Sequence, residues 1–577
     1  AATPPDAPLT ETERSSTLGP VLLAIVASVL LVASHAAISS ASLEPENGTA
    51  TSQISVGNDT SASGGKYVKF GAQLPSPGGL DSHNVVVDGS NKIVSWVSPQ
   101  DKAYAQVSKL AWDYLKALPD LSNGKPAYYS HSYLDPSVSP SEPVGWPHNP
   151  AGLYAMFTES ALAYYQYSGD SSVLQIARGV VDHHIANGMT SATDNWAKVP
   201  YASGDVGSLT YNGASYGNTS GAGDGKGVLQ PDKIGELGVA FVQLYKLTGD
   251  TKYLNAAIDG ANALASHVRT GSTSQSPWPF RVVAATGNIK EQYCAHVISP
   301  IELFDNLTAL GAGNTASYQS ARTTAWNWLM NYPMQNNNWS QYFEDVDIQS
   351  TFNGNLNQLN AMMTARYLLL HPEMDPSWEA HVRGLITWVE STFARQQFGA
   401  TIIEEQFAFA HPMGSHTSRY ASVNALLYQK TGDTAAKEKA YRSYNWATYM
   451  ARSNGVVIDG PEVNNQWFTD GYGDYIRHFI IAMGAVPQWA PAGEDHLLQS
   501  NSLVKSVSYT ASGMSYQTYD NSATEELRLT YQPTSVTAGG VTLSKQSDLS
   551  SPGWTYDATT GVLRVYHSNS ANVQITK

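Results

Sequence analysis

The stretch IGELGVAFVQLYKLTGDTKYLNAAIDGANALASHV (234–268) carries apolar residues at i, i+3, i+4 and i+7 on both sides of Thr248-Gly249-Asp250. That periodicity predicts two amphipathic helices, and so short a turn between them makes them an antiparallel hairpin. The same grammar occurs four more times. YAMFTESALAYYQY and SVLQIARGVVDHHIANG flank SGD (168–170); ISPIELFDNLTAL and TASYQSARTTAWNWLM flank GAGN (311–314); LNQLNAMMTARYLLL and SWEAHVRGLITWVESTF flank HPEMDP (371–376); SVNALLYQK and TAAKEKAYRSYNWATYM flank TGD (431–433). Measured through Gly169, Gly249, Gly313, Pro372 and Gly432, the turns stand 80, 64, 59 and 60 residues apart, an irregular internal repeat.

Two helical segments, 99–118 and 470–486, have no local partner. Pairing the last with the first makes a sixth hairpin and closes a ring. The expected fold class is therefore mainly α: an (α/α)6 toroid of helical hairpins. An open solenoid would have shorter repeats and capping units. Beyond residue 500 the chain alternates polar and apolar residues between Gly, Pro and Asn turns, which predicts a small antiparallel β-sandwich-like domain. The pattern from 99 to 486 resembles the six-hairpin glycosidases and their polysaccharide lyase and glucuronyl C5-epimerase relatives. That resemblance implies a carbohydrate-active enzyme, and a β-domain behind a toroid is familiar among those enzymes.

At the other end, residues 18–35, LGPVLLAIVASVLLVASH, form an uncharged apolar run. Its length suits an export signal or a membrane anchor, so the remainder is expected outside the cell, secreted or held at its surface. A Ser/Thr/Gly-rich spacer follows, within which residues 43–71 resemble the opening strands of a carbohydrate-binding module. The expected division is 1–38 signal or anchor, 39–93 linker with a short β segment, 94–496 toroid and 497–577 β-domain.

Only 14% of the 577 residues are charged, against about 25% in an average protein. The net charge of -15 and the lack of a basic stripe exclude nucleic acid as a partner. A single cysteine, Cys294, excludes a disulfide scaffold. HExxH, CxxC and EF-hand spacings do not occur, so no catalytic metal is expected, while a structural Ca²⁺ among loop acids stays open.

Connections between hairpins are long (119–151, 189–232, 270–297, 334–355, 395–416 and 454–469), and each must emerge on the same face of the ring. Long loops in a compact domain are usually functional. Those loops and the helix starts beside them offer Trp146, His148, Asn149, Trp196, Trp278, Arg281, Tyr293, Trp339, Tyr342, Trp467 and Arg477 as sugar-binding groups. Indole and phenol rings stack on the C–H faces of pyranoses, and polar side chains take the hydroxyls. The Gly-rich GAGDGKG (221–227) lacks the Lys-Ser/Thr end of a P-loop and reads as a lid.

Glycoside hydrolysis needs two carboxyl groups, one protonated and one ionised. Glu344 or Asp345 with Glu404, Glu405 or Asp470 supplies such a pair. The first alternative is elimination or C5-epimerisation of a uronate, with His411, His416, Tyr420 or Tyr475 moving the proton. The run GDYIRHF (473–479) resembles a Tyr-Asp-Leu-Arg-His-Phe stretch of the glucuronyl C5-epimerases. A second alternative is a cell-surface glycan-binding or structural protein without chemistry. A polysaccharide or oligosaccharide is the expected partner in every case, and oligomeric state is not readable.

Overall fold

The computed structural model describes residues 54–58, 66–70, 80, 83–117, 131–133, 144–146, 149–205, 208–214, 224–341, 354–461 and 469–577. The apolar run 18–35 lies outside them, and among the described residues no helix is long and apolar enough to cross a membrane. The first 74 residues form one unit, in which β1 (Ile54–Asn58) pairs antiparallel with β2 (Lys66–Phe70). Residues 75–577 form the other.

In that second unit the described helices longer than one turn are α1 (Ala103–Ala117), α2 (Pro150–Ser168), α3 (Ser172–Asn187), α4 (Pro231–Thr248), α5 (Thr251–Ser266) and α6 (Ile298–Leu310). They continue with α7 (Thr315–Asn331), α8 (Gln358–Leu370), α9 (Trp378–Phe393), α10 (Gly414–Thr431), α11 (Thr434–Thr448) and α12 (Thr469–Ala485). The TGD turns work by local chemistry. Gly249 and Gly432 end their helices in the left-handed region (φ 74° and 75°), where glycine carries no Cβ penalty. Asp250 and Asp433 then cap the next helix, accepting from the N–H of Lys252 and of Ala435 and Ala436.

Helices α2, α4, α6, α8, α10 and α12 each touch the next, and α12 touches α2, so they close an inner ring. Outside it, α3, α5, α7, α9 and α11 back onto the inner helix that precedes each, and α1 backs onto α12. The sixth hairpin is thus made from the two ends of the toroid. Burial follows the layers. Every residue of α10 from Gly414 to Leu427 is buried, whereas outer α9 buries the single stripe Val382, Leu385, Ile386, Val389 and Phe393. Inner helices cross closely where side chains are small: a Cβ on Gly235 would lie 2.3 Å from Pro300 N.

The segment 83–98, the end of the expected linker and the start of the expected toroid, docks on the outer layer. Val86 N–H donates to Tyr449 Oη (2.8 Å) and Trp96 Nε1 to the Thr448 carbonyl (2.8 Å). Before α10 lies a three-stranded antiparallel sheet of β3 (Ala394–Gln397), β4 (Ala400–Gln406) and β5 (Phe409–Pro412).

Behind the toroid, nine strands form two antiparallel sheets around Leu497, Met514, Leu527, Trp554, Leu563 and Ile575. They are β6 (His496–Ser500), β7 (Val504–Thr510), β8 (Gly513–Thr518), β9 (Ala523–Arg528), β10 (Ser535–Ala538), β11 (Val541–Thr542), β12 (Gly553–Asp557), β13 (Val562–His567) and β14 (Asn572–Thr576). Sheet orders are β6-β9-β13-β12 and β7-β8-β14-β10-β11.

Candidate functional site

The long connections lead into the N-termini of the inner helices, which gathers their side chains on one face of the ring. Strand β4 brings two of them. Successive residues of a strand point to opposite sides. Glu404 turns outward to an ion pair with Arg395, and Glu405 turns inward and is buried. Glu405 Oε1 accepts from Gln406 Nε2 (2.9 Å) and lies 3.7 Å from His416 Nε2 in the first turn of α10.

Asp459 comes from the connection before α12 and is buried beside this group. Its carbonyl accepts from Gly414 N–H (2.6 Å), and at the next residue, Gly460, a Cβ would lie 1.9 Å from the Pro412 carbonyl oxygen. The backbone therefore locks Asp459 against the start of α10. Burial, and then the charge of Glu405, push the Asp459 carboxyl up to about 8. Its Oδ1 has no hydrogen-bond partner among the described residues.

Beside this pair, α10 and α12 build a charged network. Arg419 donates to His416 Nδ1 (2.6 Å) and to Asp474, and Asp474 also binds Arg477 and His478 (3.1 Å from Nε2). Burial opposes ionisation of Asp474, but Arg419 and Arg477 hold it well below the usual carboxylate range. His416 and His478 are each lowered to about 3, first by burial and then by neighbouring guanidinium groups, so both are neutral imidazoles near pH 7.

A second cluster joins α4 to the start of α6. Glu236 Oε1 lies 3.0 Å from both Lys233 Nζ and His296 Nδ1, and Asp232 Oδ2 lies 3.6 and 3.5 Å from the same atoms. Burial would raise Glu236, yet Lys233 and His296 bring it down to about 2. Burial would lower His296, yet Glu236 and Asp232 bring it up to about 9. Ligand atoms of Asp232, Glu236 and His296 fall within 4.8 Å of one another, the one set among the described residues that could hold a metal ion. The Lys233 ammonium already supplies a cation there.

The structure disperses many of the residues expected from sequence. Tyr342, Glu344, Asp345, His148 and Trp467 lie outside the described residues. Trp146 is in a short strand (144–146) and Asp470 in the first turn of α12, their side chains beyond description. Asn149 caps α2, its Oδ1 accepting from Gly152 N–H (3.1 Å).

Trp196, Trp278 and Trp339, expected as sugar platforms, are buried by loops that fold back over them. Trp196 stacks on His267 (4.1 Å), Trp278 donates to the Leu264 carbonyl, and Trp339 is fully enclosed. Arg281 is clamped by Asp224 (2.6 Å) and Glu291 (3.1 Å). Asp224 also accepts from Ser203 and Gln230, so this part of the expected lid is tied down. Tyr293 donates to the Asn338 carbonyl, and His411 packs at a tilt against Phe409 (ring centroids 4.4 Å apart). Tyr420 and Tyr475 reach outward, to Glu390 and to the Ala447 carbonyl. Glu405 and His416 are brought together, and Arg477 joins them through Asp474 and Arg419.

Asp232, Lys233, Glu236 and Asp459 were not among the expected site residues. The first three carry a signal: charged groups set among the apolar residues of the first turns of a helix. A lone loop aspartate carries none.

No protein-family model matches the chain, and no curated protein matches it by sequence. Solved structures do. A family 76 glycoside hydrolase from a bovine Bacteroides thetaiotaomicron strain is 11% identical over 68% of this chain and 79% of its own, with a TM-score of 0.46. An unsaturated glucuronyl hydrolase specific for heparin is 11% identical over 67% and 96% (TM-score 0.41). A cellobiose 2-epimerase from Spirochaeta thermophila is 10% identical over 67% and 97% (TM-score 0.47).

Proposed function

We propose that the protein is a glycoside hydrolase acting on a polysaccharide or oligosaccharide, with Asp459 as proton donor and Glu405 as its ionised partner. One observation carries this reading: two buried carboxyls, Asp459 and Glu405, stand together on the loop face, where burial and the Glu405 charge raise Asp459 to about 8. Two acids whose environments separate their protonation are what glycosidic cleavage requires. Asp459 gives its proton to the glycosidic oxygen as the C–O bond breaks, and Glu405 stabilises the cationic sugar by attacking it or by activating water. The network of Arg419, Asp474 and Arg477 keeps the surrounding helices in place. In this reading the apolar run 18–35 sends the protein outside the cell, where such substrates lie.

A second reading, uronate elimination or epimerisation, needs a base for the carbon-bound proton; His416 fills that role only when substrate draws Arg419 off Nδ1, because the neutral imidazole's one lone pair accepts from that guanidinium.

Purified protein incubated with neutral and uronate polysaccharides separates these readings. A hydrolase releases reducing ends without ultraviolet absorbance; a lyase releases both; an epimerase releases neither but takes solvent deuterium into the sugar. Asp459→Asn and Glu405→Gln should each abolish release of reducing ends. Unchanged rates in both variants would discard the pair and return attention to Glu344, Asp345 and Asp470. Binding with no chemistry would leave a glycan-binding protein.

A further inference from the structure

The ring encloses a chamber, lined neither by Asp459 nor by Glu405, that the proposed chemistry does not use. Met156 on α2 contacts Leu359 and Met363 on α8 in an apolar cluster separate from the main core. Helices α2 and α8 are not neighbours in the ring, so this cluster spans the axis as a plug. Against it lies a cavity of about 560 Å³, lined by the inner helices from Glu236, His296 and Ser299 near their starts to Asp305 and Arg366 in later turns, and reaching Leu370, His371 and Glu373 in the α8–α9 turn. A second cavity of about 340 Å³ shares Gln243, Asn306 and Arg366 with it and extends to Gln499 and Asn501 behind the toroid. Volumes of this size are those of small-molecule sites.

The wall chemistry points to a neutral, hydroxyl-rich ligand. Glu159 is neutralised by Arg366 and Arg477, Asp305 by Arg322 and Glu236 by Lys233. The carboxyl of Glu302 and the amide of Gln243 line the chamber, and neither makes a side-chain hydrogen bond to a described residue. Two polar groups with unspent hydrogen-bonding capacity, in one wall with apolar Val239, Ala309 and Leu370, suit the hydroxyls and C–H face of a pyranose. Burial raises the Glu302 carboxyl to about 7, which lets it act as donor or acceptor near neutrality.

We propose that this chamber is a second saccharide-binding site, in which Glu302 and Gln243 hydrogen-bond the hydroxyls of a mono- or disaccharide. It stands apart from the hydrolase reading and survives that reading's failure.

The test is saturation-transfer NMR and calorimetry on the full chain, with D-glucose, D-mannose, D-xylose and maltose as probes, each alone. At least one probe should bind the wild type and Asp459→Asn equally. Affinity should fall at least tenfold in Glu302→Leu/Gln243→Leu and in Leu370→Trp. The last variant acts at a mouth residue that is 40% exposed, so it obstructs the chamber without entering the core. No binding of any probe would overturn the proposal. So would binding that both chamber variants leave intact, or binding that Asp459→Asn removes.

Discussion

Arg366 on α8 and Glu159 on α2 form a two-pronged ion pair across the axis of the ring, between helices that do not adjoin (Nη1 to Oε2, 3.3 Å). Arg477 joins the same carboxylate from α12. Burial would raise Glu159, but Arg366 and Arg477 hold it down to about 2. Removing one partner strands a charge, so Glu159→Gln should cost about 3 kcal/mol, read as a lower urea midpoint. Because the folded value lies below the ordinary 4.5, this stabilisation is complete above pH 4.5 and is lost as pH falls toward 2. The gap between wild type and variant should close over that window.

Asp459 behaves in the opposite sense. Its raised carboxyl stabilises the fold below the ordinary 3.8 and loses that contribution as pH climbs toward about 8. Asp459→Asn should therefore be less sensitive to alkaline pH in thermal melts. Turnover of a glycoside should fall as pH rises through about 8, and the Asn variant should lose about 10²–10⁴ of the rate.

His296 adds a second alkaline limb. Raised from 6.5 to about 9 by Glu236 and Asp232 against the effect of burial, it stabilises fully below pH 6.5 and stops doing so through pH 9. His296→Gln should lower stability at pH 6 and flatten the profile between 6.5 and 9; a parallel profile in the variant would contradict the cluster.

The hairpin turns can be tested by themselves. At Gly249 φ is 74° and a Cβ would meet nothing within 4 Å, so Gly249→Ala should cost about 1–2 kcal/mol from backbone conformation alone. Asp433→Ala removes a cap that satisfies two N–H groups and should cost about 1 kcal/mol. The two turns are in separate hairpins, and their effects should add in denaturant melts.

Helices and turns were legible because their causes are local: apolar spacing, a glycine able to take positive φ, an aspartate that caps. The site was legible only in part. Glu404 and Glu405 are equivalent in sequence; strand pairing sends one to Arg395 in solvent and the other to His416. Loop tryptophans read as platforms because indoles suit sugars, yet the same rings bury well, and at Trp196, Trp278 and Trp339 burial prevailed. Asp459 is 54 residues from Glu405 in the chain, and its raised carboxyl arises from burial beside that residue.

By itself the sequence determined the helical hairpins, their number, the β-domain behind them and the face on which the long connections gather. Periodicity and turn chemistry act within a few residues, and a ring of hairpins leaves its connections little choice. Only the tertiary structure decided which acids meet, which aromatics are consumed by the core, and that ionic and apolar struts cross the axis with a chamber against them. Those outcomes depend on distances between residues far apart in the chain, where burial and neighbouring charge, rather than residue type, set what a side chain does.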